Sequence, residues 1–396
     1  MKKALLVVLL ICVAFTSVLA GDLKYLFTDL DQHVEILNGF LPTLLGMGAS
    51  FEGLALVEDQ LTQLQAYAAG GYTQRKAYQN PLDGSVLSQD FLVFDLWQAR
   101  LTLKFLQGFG GKSEISSKDL LTAYAGYEGR WEMPVDSMVE GLQRLNGIMV
   151  TVPTIDLWTA DSQAAAGSVR NSAIYPELAA PSIFASTFFG GLKLNMMQDD
   201  GVTSNGLSVD LSLKATFPAI STNSLSFWSA NLNVVGGYTI FQLQSLGKDP
   251  QNIFSVVAVD RFCVNYTDGD AVPAFIQGSV SLGRKVRGFN SNTYNTNFTV
   301  VNNLDIRLSG PDRMLSFLDG IFPRINLFFD MGFNSGKLFN CNVENSYFLC
   351  STGVQVTVSF MDFIDLGLQC AYLIKGTNLV NPDSNIQMGA TFFLDF

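Results

Sequence analysis

Between Leu207 and Phe217 every second residue is apolar: Leu207, Val209, Leu211, Leu213, Ala215 and Phe217 alternate with Ser208, Asp210, Ser212, Lys214 and Thr216. The same period returns at 297–308, where Phe298, Val300, Leu304, Ile306 and Leu308 oppose Asn297, Thr299, Asn303, Asp305 and Arg307. At 322–333, Ile325, Leu327, Phe329, Met331 and Phe333 oppose Arg324, Asn326 and Asp330, with Phe328 out of step. A period of two gives an extended strand one greasy face and one polar face. Comparable segments lie near 44–57, 63–76, 92–105, 119–132, 183–197, 226–241, 252–266, 274–285, 351–361, 363–375 and 386–396, about fourteen in all.

Segment length narrows the fold. Each runs about 10–16 residues, whereas strands of soluble proteins usually run about 5–6. Tilted strands crossing a bilayer need about 9–11 residues. Hydrocarbon offers no partner to backbone N–H and C=O groups, so amphipathic strands of this length call for a closed barrel. The expected fold class is therefore all-β, a transmembrane antiparallel β-barrel of about 14 strands (about 12–16) with an N-terminal helical segment.

Composition agrees. Charged residues make up 15% of the chain, below the roughly 25% of soluble domains. Phe occurs 31 times and Gly 35 times. The single histidine, His33, removes most general-base and metal chemistry. There is no Gly-Lys-Ser phosphate loop, and the net charge of −11 disfavours nucleic acid. No enzyme activity and no cofactor are expected.

Three segments stand apart. Residues 1–20 begin Met1-Lys2-Lys3, continue in an apolar run and end Val18-Leu19-Ala20, the pattern of a secretory signal peptide cleaved before Gly21. Residues 21–43 place Leu23, Leu26, Phe27, Leu30, Val34 and Leu37 at helical spacing, a periplasmic cap or plug. The barrel then occupies 44–396 with a long insertion at 133–182, itself containing a helix-like piece with a Ser137-x-x-Glu140 capping pattern.

The last strand alternates Ile386, Met388, Ala390, Phe392, Leu394 and Phe396. This terminal-Phe strand, the signal peptide and the strand set resemble bacterial outer-membrane β-barrel proteins of the porin-like class. The resemblance implies that Phe392, Leu394 and Phe396 act as an assembly signal read by the barrel-insertion machinery, and that the site is the outer membrane of a diderm bacterium. It also implies periplasmic termini. Counting back then puts the Met361-Asp362 turn in the periplasm, a long loop at 334–350 outside, and the 133–182 segment on the periplasmic side. Fourteen strands with an N-terminal helical segment also resemble, in architecture, outer-membrane transporters of fatty acids and hydrocarbons. The Gly21-Asp22-Leu23-Lys24-Tyr25 start departs from that family, so no ligand residues carry over.

The polar faces supply the expected pore lining: Arg100, Lys104, Glu128, Arg130, Lys193, Asp210, Lys214, Arg261, Lys285, Asp305, Arg307, Arg324 and Asp330. Bases outnumber acids there, which favours passage of small anions. The outer face carries Trp97, Leu101, Leu103, Phe105, Tyr127, Trp131, Trp228, Tyr238 and Phe329. Asp260 falls on that face in mid-strand, which calls for a bulge or a different strand boundary. Cys341 and Cys350 are spaced for a local disulfide or for two free thiols, and Cys370 alternates with lipid-facing residues. The resulting expectation is a channel for passive diffusion of small solutes, with lipid and the insertion machinery as partners and an oligomer allowed. The alternatives are a plugged, ligand-specific transporter of hydrophobic substrates and a surface adhesin using the 334–350 loop.

Overall fold

Backbone pairing organises the described residues of the chain. The computed structural model describes residues 23–26, 43–51, 56, 60–77, 92–112, 119–135, 182–199, 202–222, 225–246, 252–289, 293–311, 321–340, 343–360, 364–378 and 383–394. They form one 14-stranded antiparallel sheet in which every strand pairs with its neighbours in sequence. The strands are β1 (Leu23–Leu26), β2 (Thr43–Phe51), β3 (Thr62–Ala77), β4 (Leu92–Lys112), β5 (Asp119–Val135), β6 (Ile183–Asp199) and β7 (Ser204–Thr216). They continue with β8 (Ser226–Gln244), β9 (Asn252–Ala271), β10 (Phe298–Ser309), β11 (Ile321–Lys337), β12 (Glu344–Phe360), β13 (Ile364–Lys375) and β14 (Ile386–Leu394).

Register divides each strand between two faces. Leu207, Val209, Leu211, Leu213 and Ala215 share a face with Gly236, Val234, Leu232, Ala230 and Trp228 of β8. Along β11 to β14 the same face exposes Leu327, Phe329, Met331, Val354, Val356, Leu366, Leu368, Tyr372 and Met388. A soluble protein buries such a set; a bilayer covers it without further chain. Aromatic residues mark both margins. Tyr127, Phe188 and Phe217 stack edge-on at one end, and Trp228 packs on Tyr266 there. Phe241 and Phe254 meet at the other end. Interface girdles of this kind flank the apolar band of membrane barrels.

The opposite face is concave. The segment between β9 and β10 folds back against it and carries two short helices, α1 (Ala274–Val280) and α2 (Leu282–Lys285). Phe275 of α1 lies under Arg130 of β5, while Phe289 of the same segment clusters with Leu373 of β13. One short segment reaches strands this far apart only if the sheet curls around it. Close packing on the concave face uses glycine where a ring must lie flat: a Cβ on Gly126 would strike the Phe189 ring, and one on Gly191 would strike Tyr124.

Several expectations change. Residues 274–285 are not a strand but α1, α2 and their junction, because Pro273 cannot donate to a ladder and opens a helix instead. Leu23–Leu26 pairs with Gly48–Phe51 as β1 rather than opening a helix; residues 27–42, with His33, lie outside the described residues. The count stays at fourteen because one strand is lost and another gained. The long loop expected at 334–350 is strand on both sides: β11 runs to Lys337 and β12 starts at Glu344. The 133–182 insertion joins the end of β5 to the start of β6, so it leaves from the end where β9 meets β10, opposite the end where β14 finishes. Its residues 136–181, like residues 1–20 and Phe396, lie outside the described residues.

Face assignment has a direct test. In membranes holding a cysteine-free background, L211C should resist a charged maleimide, and N233C on the inner face should react at least about tenfold faster. Equal rates at the two positions would contradict the register.

Candidate constriction of the lumen

A segment entering a barrel carries backbone polar groups that need partners. The inner wall provides them. Thr299 Oγ1 donates to the Val280 carbonyl at 3.3 Å and Asn303 Nδ2 to that of Lys285 at 3.0 Å. Ser351 Oγ donates to the Arg287 carbonyl at 2.7 Å, and Asn378 Nδ2 to the Gly288 carbonyl at 2.7 Å. Asn334 donates to the Tyr294 carbonyl, and Tyr294 Oη donates to the Thr377 carbonyl at 2.7 Å. These wall side chains, polar by sequence, face protein rather than water.

Apolar packing completes the seat. Phe275, Ile276 and Val280 of α1 cluster with Ile183, Ala185, Phe227 and Phe339. Leu282, Val286, Phe289 and Tyr294 cluster with Val301, Leu349 and Leu373. Gly332 of β11 leaves the space that Leu282 and Val286 occupy, and Gly288 adopts φ 91° where a Cβ would meet Ala371 and Leu373.

Arg287 fastens the segment electrostatically. Its Nε donates to Asp330 Oδ2 at 2.8 Å, its Nη2 to Asp330 Oδ1 at 2.6 Å, and its backbone N–H to Asp330 Oδ2 at 2.9 Å. Its Nη1 lies 2.7 Å from Asp305 Oδ1, and the guanidinium sits 4.0 Å above the Phe328 ring. Arg261 pairs with the other oxygen of Asp305. Asp330 is 0% exposed. Burial by itself pulls the Arg287 guanidinium down, but hydrogen bonding to Asp330 and the charges of Asp330 and Asp305 hold it above its ordinary value. A forked guanidinium on a buried carboxylate is the strongest pairing geometry available to side chains. Phe328, out of step in the sequence pattern, thus points inward as the platform under Arg287.

The rest of the inner wall is different. On β4 to β8 the register sets Lys104, Gly126, Phe189, Lys214 and Ser229 in one row. Thr122, Lys193, Asp210, Asn233 and Cys263 form another row, and Arg100 stands directly opposite Arg130. Aromatic faces back the bases: Tyr67 under Arg100 at 5.3 Å, Tyr124 under Lys104 at 4.5 Å and Phe275 under Arg130 at 4.1 Å. Arg130 also pairs with Glu132 at 2.9 Å, and Tyr124 Oη donates to Asp210 at 2.7 Å. From α2, Lys285 reaches Cys263 Sγ at 3.3 Å and joins Glu128, Arg130 and Arg100 in the field around Lys214. Among the described residues, no acid lies within ion-pair distance of Lys104, Lys193, Lys214 or Lys285.

Twelve of the thirteen sequence-assigned residues lie on strands and share the inner face of the sheet, and together with Lys285 they fall in four settings. Arg100, Lys104, Glu128, Arg130, Lys193, Asp210 and Lys214, all half-buried, form a wall on β4 to β7 in which bases outnumber acids. Asp305 and Asp330 lie buried beneath the in-folded segment, tied with Arg261 to Arg287. Arg307 reaches Asp199 at 3.6 Å and Arg324 stands near one end of β11. Lys285 belongs to α2, not to a strand. Sequence pattern missed Arg287 and the whole in-folded segment; Pro273 and the spaced Gly278, Gly283 and Gly288 were the available signals. Cys350 is a buried free thiol in β12, Cys370 a free thiol exposed on the outer face, and Cys341 lies outside the described residues. Phe392 and Leu394 lie in β14.

No known family profile matches the chain, and no curated protein matches it. Among the solved structures to which the chain shows a likeness are two bacterial proteins. One is "The crystal structure of BamA from Haemophilus ducreyi lacking POTRA domains 1-3", with 13% identity and TM-score 0.47 over 88% of this chain and 62% of that one. The chain therefore spans less than two thirds of that protein's length. The other, "Bacterial polysaccharide outer membrane secretin", shows 8% identity and TM-score 0.32 over 89% and 91% of the two chains. The antiparallel meander, apolar outer band and polar interior are those of an outer-membrane β-barrel protein.

Truncating the clamp tests it. R287A leaves the Asp330 carboxylate buried and unpaired, which costs about 3–5 kcal/mol. We expect a lower temperature for loss of heat-modifiable gel migration and faster tryptic cleavage after Arg284 and Lys285. Unchanged values for both would show that Arg287 does not anchor the segment.

Proposed function

We propose that this chain is a channel of the bacterial outer membrane through which small solutes diffuse passively, with anions favoured at its constriction. The observation carrying the reading is the pairing imbalance on the inner wall. Acids under the in-folded segment are matched by Arg287 and Arg261, whereas Lys104, Lys193 and Lys214 of the inner wall and Lys285 of α2 have no acid at ion-pair distance among the described residues. Bases arranged across a narrow opening lower the barrier for anions and raise it for cations.

The in-folded segment sets the width. It covers the inner faces of β10 to β13, where Asp330, Ser351, Ala371 and Leu373 are buried, and its α1 also packs on Ile183 and Ala185 of β6 and Phe227 of β8. It leaves residues such as Asn233 and Arg261 of β8 and β9 exposed to the lumen. A barrel of about fourteen strands is too wide for wall side chains alone to fill, so partial occlusion by one anchored segment leaves a passage. No reacting group is required, and the reading is non-catalytic. Delivery to the membrane rests on removal of residues 1–20 and on recognition of the final strand, with Phe392, Leu394 and Phe396, by the insertion machinery.

Planar-bilayer recording tests the function. The wild type should give discrete conductance steps and, in a salt gradient, a reversal potential on the anion side that weakens as salt screens the wall. The K214E/K285E double variant should move the reversal potential toward cations. Absence of steps from folded protein would overturn the channel, and cation preference in the wild type would overturn the role of the lysines.

A further inference from the structure

The outer wall holds a polar pair where only hydrocarbon-facing side chains are expected. Asp260 of β9 accepts a hydrogen bond from Asn302 Nδ2 of β10 at 2.7 Å, on the exposed face. Register is continuous through both residues: Asp260 pairs with Leu304 on one side and Gly236 on the other, and Asn302 pairs with Phe262. No bulge therefore turns the carboxylate inward, and the strand boundary is not the cause. Its place is the middle of the apolar band. Along β9 the outer face runs Phe254, Val256, Ala258, Asp260, Phe262, Val264, Tyr266, with an aromatic contact at each end.

Polar side chains at mid-depth are costly against lipid and pair wherever they can. The internal bond satisfies only part of this pair. Asn302 keeps one N–H and its carbonyl oxygen, and Asp260 keeps one carboxyl oxygen. The patch therefore holds donor and acceptor together, so it is complementary to itself under a two-fold rotation, as an isologous contact requires. Beside it, Gly236 lowers the wall: a Cβ there would meet nothing nearer than Leu207 Cδ1 at 3.9 Å. Small residues of this kind admit close approach between membrane segments.

We propose that the outer face of β8 to β10 around Asp260 and Asn302 is a self-association surface. A second copy of this chain docks there about a two-fold axis, and the amide of each Asn302 reaches the carboxylate of the other copy's Asp260. The inference needs the membrane-spanning barrel but not the permeation reading.

Mass measurement in mild detergent and cysteine cross-linking in native membranes test it. Wild type should run at twice the 43.2 kDa chain mass, before removal of any leader, and L304C in a C370S background should cross-link to itself. D260L/N302L should weaken association roughly tenfold or more while heat-modifiable migration persists. D260N, which keeps donor and acceptor, should remain associated. A monomeric wild type without self-cross-links overturns the proposal in favour of lipid alone. Cross-linking of L304C to a different polypeptide overturns it in favour of a foreign partner. An unchanged dimer in D260L/N302L places the contact elsewhere and also overturns it.

Discussion

Hydrocarbon leaves a backbone amide nowhere to bond but to its own chain, and that constraint orders everything else in this protein. Fourteen strands pair neighbour to neighbour with no crossover. Once the ladders satisfy the main chain, side chains on the outer face are free to be apolar over the whole band, and those on the inner face are free to be polar. The long strands follow as well. β4 has 21 residues and β9 has 20, beyond the roughly 9–11 needed to cross, so their ends stand in water and carry groups such as Asp268 and Asp270.

The same rule governs the interior. A segment folded into the lumen also carries unpaired carbonyls, and the wall meets them with Thr299, Asn303, Asn334 and Ser351. Polar residues on the inner face therefore divide into two kinds that look identical in an alternation pattern. One kind is a lining exposed to water, as at Asn233. The other is a set of hydrogen-bond donors for a buried segment. Asp330 belongs to the second kind: counted as an exposed acid it would draw cations, whereas buried against Arg287 it neutralises a base.

This division explains what the sequence made legible. Period two reported face and strand type well at 206–217 and 322–333, because lipid on one side and polar surroundings on the other impose a strict alternation. It misread 274–285, where Ala274, Ile276 and Gly278 alternate with Phe275 and Gln277 by composition alone. Nearly all of α1 is buried, so neither face shows a polar stripe and neither period stands out; Pro273 and the spaced Gly278, Gly283 and Gly288 were what argued against a strand. The long external loop expected at 334–350 failed for a related reason. Asn334, Ser335, Gly336, Glu344, Asn345 and Ser346 look like turn residues, yet they pair across β11 and β12 beyond the apolar band, where polar strand extensions cost nothing. Asp260 does face outward, as the alternation implies, and its oddity lies in the protein rather than in the register.

Charge on the passage depends on which groups the in-folded segment removes from it. Without that segment, Asp305 and Asp330 would face the lumen and offset bases on the far wall. With it, Arg287 holds both acids on the β10 and β11 side, and α2 carries Lys285 toward Lys214 and Arg130. In the proposed channel the segment would therefore act twice on the same opening: it would narrow the passage and make its local charge more positive than the wall alone. On the proposed channel reading, width and selectivity are coupled through one anchored piece of chain. A substitution that frees the segment should therefore change both together, whereas a change of wall lysine alters selectivity with little effect on width.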